Sequence, residues 1–139
     1  MQPEEELVQQ WLARASLDVR SADVDLAAQP PLTEDACFHC QQAAEKALKA
    51  FLVHHGVEFE KVHDIERILD LVVKVDDTFE ELRASAAPLT IYAIRFRYPH
   101  TDAAPTLAQA QQKLDVASQV LEFVLARLPD RVHPPGDRH

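Results

Sequence analysis

Apolar residues recur at steps of three and four along most of the chain, which is the spacing of one face of an α-helix. This pattern predicts helices over about 5–27, 34–55, 64–73 and 107–128. Between the last two of these lies a further helical region, in which Pro88 either kinks one helix or begins a second. Since short connections favour antiparallel neighbours, we predict an all-α, up-and-down helical bundle of four main helices plus a short extra helix.

The predicted helix ends carry capping signals. Thr33 has the residue type of an N-cap for the second helix, and Thr106 with Gln109 three residues later forms a capping box for the last one. The segment 129–139 contains prolines, a glycine and charges without apolar periodicity. We therefore predict one helical domain over 1–128, followed by a flexible C-terminal tail over 129–139.

Composition supports a helical domain and limits its partners. The 139 residues are 47% hydrophobic and 27% charged, with only two glycines, which is typical of one globular and mainly helical domain. No apolar run approaches 18 residues and the acidic start does not resemble a signal peptide, so we expect a cytoplasmic protein without a membrane partner. The net charge of −9 disfavours broad adhesion to nucleic acid, so a phosphate-bearing partner requires a local basic site.

Cysteine and histidine give little indication of a metal centre. Cys37 and Cys40 are three residues apart, but both fall on the apolar stripe of the second helix, where free cysteine acts as a small hydrophobic residue. A zinc site would need two further ligands, and the histidines lack a convincing ligand spacing. We therefore expect core packing for both cysteines, and no metal or cofactor.

Two polar pairs have structural interpretations. Glu45 and Lys49, four residues apart, are expected to pair on the outer face of the second helix. His63 and Asp64 stand at the start of the third helix, where they serve either as a cap or as a catalytic acid–base pair. Capping is favoured, because a polar residue followed by aspartate suits a helix N-terminus without further assumptions.

The most informative stretch for chemistry is the end of the helical region that follows Pro88. Either Arg95 and Arg97 pair with surface acids and His100 is incidental, or the three residues take part in phosphate chemistry. Arginine offers a planar, permanently charged fork for a phosphate, and histidine can move a proton near neutral pH. Such a pair can cleave RNA without a metal, since the 2′-hydroxyl can attack the neighbouring phosphate. Tyr98 or Tyr92 could stack on a base.

These residues also carry a family resemblance. The helix over 36–52 (ACFHCQQAAEKALKAFL), the later His63-Asp64 pair before a short helix, and the Arg97-Tyr98-Pro99 sequence together resemble the HEPN domain (higher eukaryotes and prokaryotes nucleotide-binding). The first helix is similar too, so the resemblance covers about 5–128. It implies an α-helical bundle that forms homodimers.

The resemblance further implies a function. Many HEPN domains are metal-independent ribonucleases that use an arginine, four to six intervening residues and a histidine, with the sites of two subunits brought together at the dimer interface. Arg95 and His100 match that spacing and would be catalytic, with Arg97, Tyr98 and Tyr92 contacting the nucleotide or RNA. Prokaryotic members often pair with a minimal nucleotidyltransferase as toxin and antitoxin.

Three hypotheses therefore stay open. The leading one is a metal-independent ribonuclease of toxin type that acts on RNA phosphodiester bonds. The alternative is a non-catalytic module that binds a nucleotide or a nucleotidyltransferase partner. The third is a purely structural bundle whose arginines form surface ion pairs. The first two differ in whether His100 does proton chemistry.

Overall fold

The computed structural model describes residues 1–137. In this part of the chain there are six α-helices and no strand. The helices are α1 (Pro3–Ala27), α2 (Thr33–His54), α3 (Ile65–Val75), α4 (Arg83–Ala86), α5 (Thr90–Arg95) and α6 (Leu107–Leu125). Short 3₁₀ turns occupy Asp77–Leu82, Ala87–Leu89, Asp130–Val132 and Pro135–Asp137. No described helix combines the length and the apolar character needed to cross a membrane.

The core is built around α2, which packs against α1, α3, α5 and α6. Its apolar stripe is almost completely buried, and Leu48, Phe51 and Leu52 are among the largest side chains in the interior. From α1, Leu12 packs into the same core, while α6 contributes Val120. This arrangement confirms the all-α helical bundle that the apolar periodicity predicts.

The two cysteines lie in this core. Cys37 and Cys40 are fully buried and form no disulfide. Burial raises the pKa of the Cys37 thiol to about 11 and that of Cys40 to about 12, which keeps both thiols protonated near neutral pH. The prediction that they act as small core residues is confirmed.

Of the two N-caps predicted from the sequence, Thr106 is confirmed and Thr33 is not. Thr106 Oγ1 accepts a hydrogen bond from the Gln109 amide at 3.1 Å, and Gln109 Oε1 accepts one from the Thr106 amide at 2.9 Å, so the capping box is confirmed. Thr33 is wrong as an N-cap. The carbonyl of Leu32 accepts the first helical bond, from the amide of Ala36 at 3.0 Å, so Leu32 takes the cap position and Thr33 is the first helical residue.

The region around Pro88 is split rather than kinked. The 3₁₀ turn Ala87–Leu89 contains the proline and separates α4 from α5. A proline in the first turn of a short helical segment loses no hydrogen bond, which explains its place there. As a result α5 is only six residues long and ends at Arg95.

The segment after Leu128 differs from the predicted flexible tail. Val132, in the turn Asp130–Val132, is fully buried, and the turn packs against α1. Gln9 donates a hydrogen bond to the His133 carbonyl at 3.1 Å, and His133 Nε2 donates to the Leu125 carbonyl at 2.8 Å. The buried side chain of Val132 and these hydrogen bonds hold the segment against the helices, although its sequence lacks apolar periodicity. Residues 138–139 of the predicted tail lie outside the described residues.

Candidate functional site

An open cavity lies where α5 ends and the following loop turns back toward the first turn of α2. Arg95 at the end of α5, Tyr98 and His100 in the loop, and Glu34 in α2 all line it. Because proline disfavours a helical residue before it, the chain leaves the helix ahead of Pro99 and carries His100 back toward α2. The structure thus places Arg95 and His100, predicted as a pair from their spacing, on one cavity.

Two neighbouring side chains, Asp102 and Tyr92, orient the guanidinium group of Arg95. Its Nη2 lies 3.2 Å from Asp102 Oδ2, and the group sits 5.9 Å from the ring centroid of Tyr92. The Nε atom is buried and has no hydrogen-bond partner among the described residues. With 28% of its side chain exposed, Arg95 is oriented by two neighbours yet open to a ligand in the cavity.

His100 is paired with a carboxylate from another helix. Its Nε2 lies 2.5 Å from Glu34 Oε1. A carboxylate can only accept, so the neutral imidazole that donates from Nε2 has its lone pair on Nδ1. Nδ1 has no hydrogen-bond partner among the described residues. Glu34 therefore fixes the histidine in the tautomer that can accept a proton at Nδ1.

Sequence reasoning missed Glu34. An acidic residue in the first turn of a helix is accounted for by the helix dipole alone, so nothing local marks it as part of a site. Its contact with His100 joins residues 66 positions apart, and only the packing of the loop on α2 reveals it.

Arg97 points to a different partner. Its Nη2 lies 3.0 Å from His63 Nε2. Since a guanidinium group only donates, His63 Nε2 accepts and the ring proton sits on Nδ1, which donates to Glu45 Oε1 at 2.9 Å. A hydrogen-bonded chain therefore runs from the exposed Arg97 to a carboxylate inside the bundle.

Glu45 is the buried end of that chain. Gln41 Nε2 and Lys49 Nζ each donate to its carboxylate at 2.9 Å. Burial raises the pKa of Glu45, but the hydrogen bonds from Gln41, Lys49 and His63 outweigh it and hold that pKa below 4.5. The expected pairing of Glu45 with Lys49 is confirmed, but its placement on the outer face is wrong: both residues are about 95% buried, because α1 and the segment around Phe59 cover this side of α2.

His63 and Asp64 have separate roles. Asp64 Oδ1 accepts a hydrogen bond from the Glu66 amide at 3.0 Å and caps α3, as the favoured prediction states. His63 takes no part in the cap, because both of its ring nitrogens are engaged by Arg97 and Glu45. The pair is therefore not an acid–base dyad.

The two tyrosines are placed very differently. Tyr98 is 65% exposed and lines the cavity with Arg95 and His100. Tyr92 is 9% exposed, and its hydroxyl lies beside the buried Cys37 thiol. Burial raises the pKa of Tyr92. That a tyrosine stacks on a base stays a prediction for Tyr98, whereas Tyr92 orients Arg95 and offers little of its ring to a ligand.

One group of potential metal ligands lies away from this cavity, where α1 ends and α2 begins. Within the described part of the chain, only Asp25, Asp35 and His39 bring three such ligand atoms within 4.8 Å of one another. Acidic side chains often lie close together without binding a metal, so this geometry alone does not identify a metal site. Burial, and then the neighbouring Asp35 carboxylate, raises the pKa of Asp25 to about 6.

This raised pKa predicts a pH-dependent stability. Between about pH 4 and 6 the folded protein keeps a proton on Asp25 that the unfolded chain has released, so stability falls as the pH rises through that window. Asp25→Asn removes the ionised group and should raise the free energy of unfolding at pH 7 by about 1–2 kcal/mol, with little change at pH 4. Urea unfolding at both pH values measures this. Asp23→Asn, on an exposed residue of the same helix, is the control, and an equal gain at pH 4 would contradict the assignment.

The chain matches known proteins both in sequence and in fold. A sequence model of the HEPN domain matches residues 8–128. The crystal structure of ST0689, an archaeal HEPN homologue, superposes with a TM-score of 0.69 at 25% identity, over 86% of this chain and 96% of that one. The crystal structure of TT1696 from Thermus thermophilus gives a TM-score of 0.74 at 30% identity, over 88% and 99% of the two chains. No curated protein matches.

Proposed function

The chain belongs to the HEPN domain family, since the sequence model of that family matches most of the chain. From this premise we propose that the protein is a metal-independent ribonuclease of toxin type. The observation that carries the proposal is the cavity in which Arg95 and a carboxylate-paired His100 face the same space. An arginine that binds phosphate and a histidine with a free Nδ1 are the two groups that the reaction needs.

The proposed reaction uses only groups of this cavity and the RNA. His100 Nδ1 takes the proton of a 2′-hydroxyl, whose oxygen attacks the adjacent phosphorus. The bond from phosphorus to the 5′-oxygen breaks, and that oxygen takes the proton back from the protonated His100, which yields a 2′,3′-cyclic phosphate and a 5′-hydroxyl and restores the neutral imidazole. Arg95 binds the phosphate oxygens as negative charge develops on them. Glu34 holds the imidazole in its tautomer and stabilises its positive charge after proton transfer.

We further propose that the active form is a homodimer. The residues beside Arg95 on α5 are apolar and uncovered: Ile91 is 42% exposed and Ile94 is 54% exposed. Phe96, 47% exposed, stacks on Phe38 at a centroid distance of 4.1 Å and extends this apolar face toward the cavity. A second copy packed here would bury these side chains and bring two Arg95–His100 cavities close together.

A non-catalytic module that binds a nucleotide or a minimal nucleotidyltransferase is the competing proposal. One observation favours it: no hydrogen bond or ion pair joins Arg95 to His100, and each is paired with its own carboxylate, Asp102 and Glu34. In that case Arg95 would exchange Asp102 for a ligand phosphate without proton transfer.

The test is cleavage of total cellular RNA by the purified protein in EDTA. The ribonuclease proposal predicts products with 2′,3′-cyclic phosphate ends, and Arg95→Ala should lower the rate by about 10²–10³-fold, the usual cost of losing one group that stabilises transition-state charge. Arg20→Ala, which removes an exposed arginine of α1, is the control. A folded wild-type protein that leaves RNA intact would exclude the ribonuclease and favour the binding module.

A further inference from the structure

A second cavity lies between α1, α2 and the segment that precedes α3. Trp11 and Arg14 of α1 line it on one side, Lys46 and Lys49 of α2 on another, and Phe59 and Lys61 on a third. His63 also lines it. The proposed cleavage reaction uses none of the first six residues, so their convergence is independent of that chemistry.

The cavity is basic in a protein that is acidic as a whole. Among the described residues, four cationic side chains and the carboxylate of Glu45 line it, although the chain carries a net charge of −9. Lys49 is neutralised by Glu45, and Lys46 by Asp18 at 2.7 Å. Arg14 and Lys61 are exposed and have no ion-pair partner among residues 1–137. Two unpaired cations at the mouth of a cavity are suited to bind phosphate.

Two aromatic rings complete the cavity. Lys49 Nζ lies 5.8 Å from the ring centroid of Trp11 and 5.6 Å from that of Phe59, so this buried ammonium group holds both rings in place. The two rings are half-buried, and each leaves part of its surface to the cavity. Flat apolar surface next to unpaired cations matches a nucleotide, which joins a flat base to a phosphate.

The two cavities meet at one contact. His63 lines the second cavity, and its Nε2 receives the hydrogen bond of Arg97, which lines the first. A strand bound at Arg95 and His100 would therefore pass Arg97 on its way to Lys61 and Trp11. The guanidinium group of Arg97 would thus attract a backbone phosphate of the polynucleotide between the two cavities.

We propose that the second cavity binds a nucleotide flanking the cleaved bond, with its base against Trp11 and Phe59 and its phosphate on Arg14 and Lys61. The substrate is then single-stranded RNA, because the bases of a duplex are stacked inside the helix and cannot reach an aromatic side chain. The identity of the ligand as RNA rests on the proposed function. The cavity itself can be tested without cleavage.

Trp11 is the only tryptophan of the chain, so its fluorescence reports directly on this cavity. The full-length protein is titrated with a single-stranded 2′-O-methyl oligoribonucleotide, which cannot be cleaved because its 2′-oxygen cannot attack. Adenosine 5′-monophosphate and inorganic phosphate are titrated separately. We expect the oligonucleotide to quench Trp11 and to bind more tightly than the mononucleotide, whereas phosphate alone leaves the emission unchanged. Quenching by the mononucleotide at equal affinity would overturn the RNA assignment in favour of a free nucleotide.

Two matched double variants each remove two positive charges, one pair from the cavity and the other from outside it. Arg14→Ala with Lys61→Ala should weaken oligonucleotide binding at least tenfold and lower the slope of log K against log salt by about 0.7 for each phosphate that is no longer bound. Arg20→Ala with Lys74→Ala removes the same charge from exposed positions outside the cavity and should change neither. Equal weakening in both pairs would overturn the proposal, since it would show a general charge effect.

The outcomes separate this inference from the ribonuclease proposal. Quenching by the oligonucleotide without any RNA cleavage would refute the ribonuclease and leave the cavity as a nucleotide-binding site. Cleavage without quenching, and with a normal rate in the Arg14 and Lys61 variant, would refute the cavity and leave the ribonuclease. In His100→Ala the quenching should persist, because that residue lies in the other cavity.

Discussion

His100→Ala is expected to lower the rate of RNA cleavage in EDTA by about 10²–10⁴-fold, the usual contribution of a general base. No other imidazole of the described residues reaches the cavity lined by Arg95, since His63 is turned inward to Glu45 and is engaged by Arg97. Initial rates on a labelled single-stranded RNA measure the effect. His54→Ala, at the distant end of α2, is the control and should cleave normally.

Glu34→Gln tests how the histidine is held. The glutamine oxygen can still accept the Nε2 proton, so the tautomer survives while the negative charge is lost. The cleavage rate should therefore fall less than in His100→Ala, and Glu34→Ala should lie between the two. A fully active, folded His100→Ala protein would contradict the proton-transfer role and leave a site that only binds.

The helices were predictable because their determinants are local. Apolar periodicity placed α1, α2, α3 and α6, and the capping box of Thr106 fixed the start of α6 within one residue. The chemistry of Arg95 and His100 and the turn at Pro99 likewise indicated a shared site, and the family resemblance added the match in spacing.

The carboxylates that complete the site were not predictable, because their partners are distant in sequence. Glu34 meets His100 across 66 positions, and Glu45 meets His63 across 18. On the sequence alone, Glu45 and Lys49 have the spacing of an exposed helical pair. Whether such a pair is exposed depends on which helix packs over it, and periodicity on α2 does not carry that information.

Glu45→Ala is expected to have the largest effect on stability, about 3–5 kcal/mol, because it leaves the buried Lys49 ammonium group without a counter-charge. The variant also frees Gln41 and His63, which donate to the same carboxylate. Urea unfolding at pH 7 measures the loss. Glu81→Ala, which removes an exposed carboxylate, is the control and should change stability by less than about 0.5 kcal/mol.

Two further measurements separate the charge effect from a packing effect. Because the pKa of Glu45 is held below its ordinary 4.5, the stability it confers is present above that pH and is lost as the pH falls through the folded-state value. The wild-type protein should therefore lose stability below about pH 4.5 more steeply than Glu45→Ala.

Replacing both partners, Glu45→Leu with Lys49→Met, should recover most of the stability, since no buried charge is then left unpaired. If the double variant is as unstable as Glu45→Ala, the unpaired charge of Lys49 does not explain the loss, and the hydrogen bonds that Gln41 and His63 lose in both variants do.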